Sequence, residues 1–235
     1  MSDYLEINYE KNMEMLSKAY NYCEETLSHQ DIINELYNDD DLKKQLCLIE
    51  LNKVQNQKEA DILVFNLTNH SGPIRETASY KILDLISQKK FCDFFQTKEI
   101  LNTFIKAVTD INPSVSRNTV EIIKYTNNKK YIYEKLINEI KITLSQMQDI
   151  KQNRSYTVNK KNFNIYWNLE AIINIADFIR CDENLIYVLN ETAKSNDYTI
   201  REKTAKCAKT FSLTQILNLF KEDQNIYVRK FAISN

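Results

Sequence analysis

One glycine in 235 residues is the feature that most narrows what this chain can fold into. Glycine supplies the left-handed backbone of tight turns and lets main chain approach a phosphate or form the strained elbow beneath a nucleophile. Phosphate-cradling loops, dinucleotide fingerprints and nucleophile elbows each need several glycines, and Gly72 stands alone. Those enzyme classes are excluded. Antiparallel sheets are poorly served for the same reason, because their turns lean on Gly and Pro and the chain holds only Pro73 and Pro113. What remains is helix joined by short polar turns.

The periodicity agrees. Apolar residues recur at steps of three and four almost throughout, as in Ile62, Leu63, Phe65 and Leu67, or Ile172, Ile173, Ala176 and Ile179, which is a helix period. The spacing predicts about thirteen helices, among them 129–149 and 164–180. Asp39, Asn112, Asp182 and Asp197 precede helices and can accept from first-turn amides. Pro73 and Pro113 fall at helix starts, where a missing N–H costs nothing.

Thirteen amphipathic helices can form a bundle or a repeat array, so internal similarity decides. The segments Asn69–Ala78, Ser195–Ala205 and Asp223–Ala232 share a pattern of polar turn, β-branched residue, Arg and then a small residue. The pairs are Ile74-Arg75, Ile200-Arg201 and Val228-Arg229. A degenerate copy from Asp110 has Val115, but Ser116 occupies the Arg slot and Arg117 follows; a weaker copy from Asn38 offers Leu42-Lys43. The branched residues lie 41, 85 and 28 positions apart, and 85 is about twice 41. A further repeat is therefore expected between Val115 and Ile200, its second helix at 164–180 and lacking the Arg.

These residues resemble HEAT repeats, helical hairpins that stack into a solenoid. The resemblance implies an all-α, right-handed α-α superhelix, HEAT/ARM-like, of about six hairpins. A single hairpin cannot bury both its apolar faces, so each repeat gains stability from the next. The resemblance also implies a ladder in which Arg75, Arg117, Arg201 and Arg229 pair with acids of adjacent repeats, Asp197 and Asp223 being the acceptors and Asn69 and Asn112 neutral substitutes. On this division residues 1–37 form N-terminal capping helices, with Leu5, Ile7, Met13, Leu16 and Ala19 as an apolar stripe. Residues 38–235 form the repeats, with an inserted basic loop at 149–163.

Charge is polarised along the chain although the net is only −1. Residues 1–70 carry 6 basic and 14 acidic side chains, and residues 71–235 carry 25 and 18. Residues 124–161 alone hold nine Lys or Arg against three acids. The balance as a whole gives no bulk electrostatic reason to expect nucleic acid or membrane. The local excess points to an acidic protein partner, and the candidate binding residues are Lys129, Lys130, Lys151, Arg154, Tyr156, Lys160 and Lys161, continued by Lys135. The row of second helices, with Lys43, Lys44, Glu76, Arg117, Lys203 and Lys230 expected to be exposed, is the other candidate surface.

Chemistry-bearing constellations are few. His29 and His70 are the only histidines, and no Cys or Asp cluster stands beside them at metal spacing, so neither metal nor cofactor is expected. Cys47 and Cys207 sit in apolar stripes as small hydrophobes. Five scattered cysteines, no signal-peptide core and no long apolar run lead to the expectation of a cytoplasmic protein. Trp167, with Tyr166 and Glu170, raises one enzymatic alternative, because alkylation-repair DNA glycosylases of HEAT-like build use Trp, an acid and Arg. The reading that accounts for more of the chain is a non-catalytic protein-protein interaction scaffold or adaptor. Self-association through 213–235, or origin as a shortened member of a longer repeat array, is a further expectation, since the last hairpin is short.

Overall fold

A computed structural model describes residues 13–15, 17, 18, 21, 27–148 and 155–233. Every regular element among them is helical, and none of these helices is long and apolar enough to cross a membrane. Two compact units, 1–103 and 104–235, divide the chain. The first holds α1 (His29–Glu35), α2 (Asp41–Glu50), α3 (Gln57–Phe65) and α4 (Gly72–Ser87). Helix α5 (Lys98–Ala107) runs across the boundary in sequence. The second holds α6 (Pro113–Ile123), α7 (Lys129–Gln148), α8 (Ser155–Asn174), α9 (Glu183–Thr192), α10 (Tyr198–Thr210), α11 (Thr214–Asn218) and α12 (Ile226–Ile233). Of the expected N-terminal stripe, Leu5, Ile7, Leu16 and Ala19 lie outside the described residues and Met13 is half-exposed.

Consecutive helices pair as hairpins and the hairpins stack. In the first unit α1 packs on α2, α3 on α4, and α2 against α4. In the second, α7 packs on α8, α9 on α10 and α11 on α12, while the second helices α6, α8, α10 and α12 touch in succession. The stacking buries Leu48, Leu63, Ile82 and Leu85 in one unit and Ile132, Leu136, Leu169, Ile172 and Leu189 in the other completely. Each such side chain contributes about 1.5–3 kcal/mol relative to exposure, and it does so only because a neighbouring hairpin supplies the other wall.

The turns that open the second helices α4, α6, α10 and α12 are built the same way. At its first position Asn69, Asp110, Ser195 and Asp223 accept from the amide two residues on, at 2.8, 2.8, 3.2 and 2.8 Å. Two positions later Asn112, Asp197 and Asn225 repeat the device on Ser114, Thr199 and Tyr227, each at 2.9 Å. The equivalent Ser71 caps nothing with its side chain, since Pro73 stands where the amide donor would be. The branched residue that follows, Ile74, Val115, Ile200 or Val228, is at most 1% exposed.

The next residue closes the turn. Arg75 Nη1 donates to the Asn69 carbonyl at 2.9 Å, Arg201 Nη1 to that of Ser195 at 2.8 Å, and Arg229 Nη1 to that of Asp223. Arg at a helix start is unfavourable against the helix dipole. Here its guanidinium reaches back six residues and satisfies carbonyls that would otherwise be orphaned in the turn. In the degenerate copy Ser116 does the same with its hydroxyl, donating to the Asp110 carbonyl at 2.9 Å while 0% exposed.

Several expectations are corrected by this geometry. Arg117 is not a rung of the ladder: it is exposed, and the slot belongs to Ser116. In the weakest copy Asn38 accepts from Asp40, and Asp40 rather than Asp39 caps α2. The closing slot therefore falls on Lys44, one residue later than the Leu42-Lys43 alignment placed it. Asn69 and Asn112 use their side chains within their own turns. The inter-repeat rung is present at Arg201, whose Nε and Nη2 donate to Asp223 at 2.7 and 3.1 Å.

Asp223 is held below the usual carboxylate range, chiefly by hydrogen bonds from Arg201. A carboxyl whose folded pKa is depressed contributes stability that is full above the ordinary carboxylate value of about 4 and is lost below it, as pH falls through the depressed folded value. Replacing Asp223 by Asn or Arg201 by Met is expected to cost about 2 kcal/mol at neutral pH. Urea unfolding followed by circular dichroism should show the gap to wild type shrinking in acid.

Candidate protein-interaction surface

Helix α8 carries the most distinctive surface among the described residues. Its twenty residues contain no Gly or Pro, so nothing interrupts the backbone ladder. Ile165, Leu169 and Ile172 form its buried stripe. Tyr156, Lys160, Phe163, Trp167 and Glu170 follow at steps of four, three, four and three and share another face. The rings of this face pack edge to face: Phe163 lies 6.1 Å from Trp167 between centroids and Tyr166 lies 5.4 Å from it.

At its N-terminal end this lane meets the turn before α6 in a groove of about 350 Å³ lined by Ile111, Tyr156, Asn159, Lys160, Phe163 and Asn164. Ile111 and Tyr156 are 75% and 73% exposed, unusually high for large side chains. At the other end Glu170 receives Lys203 and Lys206, and the Lys203 ammonium sits 4.3 Å over the Tyr166 ring. Burial alone would raise the Glu170 carboxyl, but the hydrogen bonds and charges of the two lysines outweigh it and hold the group below its ordinary value.

The sequence-derived candidates are scattered by the structure. Tyr156 and Lys160 line the groove. Lys161 donates to Gln146 at 2.5 Å, and Lys130 is exposed in an i,i+4 pair with Glu134 at 4.0 Å. Lys135 lies 5.7 Å over the Tyr131 ring. Lys151 and Arg154 lie outside the described residues.

Lys129 is a correction. It is only 7% exposed, and its ammonium donates to the carbonyls of Ile123, Lys124 and Thr126, where it caps the C-terminus of α6. The expected loop at 149–163 is also corrected, because residues 155–163 are the first turns of α8. Lys44 and Lys203, expected on the exposed row, are buried.

Sequence reasoning missed Asn162. It sits in the buried stripe of α8 and donates to Asp197 at 3.0 Å, so it links this repeat to the next where no Arg is available. A polar residue among Val158, Ile165 and Leu169 was the visible signal. Asp197 is thus a rung acceptor for an Asn and the cap of α10. Cys47 and Cys207 are buried, and burial pushes the Cys207 thiol far up, away from nucleophilic character.

No family model matches this chain, and no curated protein does. Solved structures similar to it include an engineered protein at 14% identity and TM-score 0.48, covering 88% of this chain and 96% of that one. An archaeal HEAT-like repeats protein from Thermococcus onnurineus NA1 is similar at 9% identity and TM-score 0.46, covering 88% and 78%. Computationally designed armadillo repeat proteins for modular peptide recognition are similar at 15% identity and TM-score 0.45, covering 86% and 95%.

The Lys129 geometry has a measurable consequence. Replacing Lys129 by Met removes the ammonium from the carbonyls of Ile123, Lys124 and Thr126, of which that of Ile123 still accepts from Thr126, and is expected to destabilise the protein by about 2 kcal/mol. Chemical denaturation should report that loss, whereas binding at the α8 surface should be unchanged in the folded fraction.

Proposed function

We propose that this chain is a non-catalytic protein-binding scaffold or adaptor whose second unit engages an acidic segment of its partner through the α8 surface. One observation carries the reading: exposed Tyr156 and Lys160 share a face with Phe163 and Trp167, and no acidic residue occurs between Asp149 and Glu170 while Lys151, Arg154, Lys160 and Lys161 do. Aromatic side chains are enriched at interface centres, and a polar, solvent-accessible rim surrounds them. Charge steers the encounter, and the stacked hairpins preorganise the surface so that little ordering cost is incurred on binding. Glu170, the acid of the lane, is engaged by two lysines, which favours a structural use over general-base chemistry of the glycosylase kind.

The test begins with affinity capture from the native cell and mass-spectrometric identification of the partner. Converting Lys160 and Lys161 to Glu is then expected to weaken that partner by about tenfold at low salt, with the difference closing toward about 1 M salt. Unchanged affinity overturns the assignment of the surface. Duplex DNA retained in a salt-dependent way through the same lysines would return the alkylation-repair reading. A contact between copies through 213–235 is supported by the exposure of Leu219, Ile226, Tyr227 and Ile233. Light scattering at rising concentration checks it, and a monomer throughout removes it.

A further inference from the structure

We infer that the groove between the turn before α6 and the first turns of α8 is an anchor pocket, taking one large apolar side chain of the partner with a carboxylate placed beside it. The inference rests on the protein-binding reading and adds the chemistry of the bound segment. Three observations carry it.

The groove has apolar walls that stand open. Ile111 and Tyr156 are 75% and 73% exposed, and Phe163 forms the third apolar surface of the cavity. Its volume of about 350 Å³ accommodates a leucine or phenylalanine side chain with its flanking backbone. Phe163 is fixed against Trp167, so this wall is held in place and little ordering is needed when a ligand arrives.

The charge on the described lining is positive. Among the described residues Lys160 is the only charged side chain lining the groove, and α8 contributes no acid to it before Glu170. Asp110, between two of the lining positions in sequence, turns a carboxylate oxygen to the Asn112 amide at 2.8 Å, inside its own turn. A partner carboxylate next to the anchor therefore meets an ammonium. The remaining polar lining is Asn159 and Asn164, whose amides can both donate and accept toward an extended peptide backbone. An apolar anchor, an adjacent carboxylate and a peptide backbone together define an acidic peptide segment rather than a basic one.

The molecule supplies its own reporter. Trp167 is the only tryptophan in the chain, and its ring lies 6.1 Å from that of Phe163, so a side chain seated against Phe163 should change Trp167 emission.

The experiment uses the full chain and a phage-displayed library of random twelve-residue peptides. Selected peptides are synthesised with a fluorescent label and measured by anisotropy and by Trp167 emission. The expected result is enrichment of Leu, Ile, Phe or Trp adjacent to Asp or Glu. The exposed pair Ile111→Ser and Tyr156→Ser should weaken the peptides by about tenfold, and K160Q should flatten their salt dependence. Both sets are surface substitutions, and unchanged circular dichroism confirms the fold.

Acidic peptides that bind the Ile111→Ser, Tyr156→Ser variant as tightly as wild type overturn the pocket and leave the acidic-partner reading standing. Failure to enrich any acidic peptide above an unrelated helical protein overturns both. A labelled single-stranded oligonucleotide held more tightly than the peptides at physiological salt, through Lys160 and Tyr156, also overturns the pocket as a peptide site.

Discussion

The hydrogen bond that closes the turns before α4, α6, α10 and α12 is the constraint on which the rest of the structure depends. A side chain at the second helix's opening reaches back six residues to a main-chain carbonyl, in Arg75, Arg201, Arg229 and, with a hydroxyl, Ser116. Two helices meeting at a short polar turn leave carbonyls and amides unpaired, and these cannot be left dry. Asx-type bonds take up the amides and the closing residue takes up the carbonyl. The branched residue between them is thereby aimed inward, where it is buried almost completely in all four copies. Hairpin geometry, and hence the face each hairpin offers its neighbour, follows from that local network.

Substitution within the network is informative because the chemistry survives a change of residue. Ser116 replaces a guanidinium with a hydroxyl yet reaches the same carbonyl, and Lys129 places an ammonium on three carbonyls at the end of α6. Asn162 likewise bridges to Asp197 with a neutral amide. What is shared is donation to a group of the turn. One consequence is that a lysine count overstates the surface available for binding: Lys44, Lys129 and Lys203 are buried, and Lys206 is engaged by Glu170.

The α8 surface arises from the same logic in reverse. Its helix is long because nothing in 155–174 breaks it, and its lane of Tyr156, Lys160, Phe163 and Trp167 faces away from the stripe of Ile165, Leu169 and Ile172 that buries it. The result is a rigid helix face with aromatic rings and a single sign of charge over its first half. A shaped, preformed surface of this kind suits recognition.

Much of this was legible in the chain itself. The shortage of glycine and the 3.6-residue period determine an all-helical protein, and three Ile-Arg or Val-Arg pairs after polar turns mark where second helices begin. Those features are local, so sequence carries them. The lane on α8 could also have been read, from its steps of three and four, but residues 155–163 look non-periodic because tyrosine, lysine and asparagine alternate there in place of aliphatics. Only tertiary structure decided which cations are free. Whether Lys129 points to solvent or to the end of α6, whether Arg117 or Ser116 closes the turn, and whether Ile111 reaches Phe163 to form a groove each depend on where a neighbouring element stands. A side chain's partners across space are not encoded in its spacing along the chain.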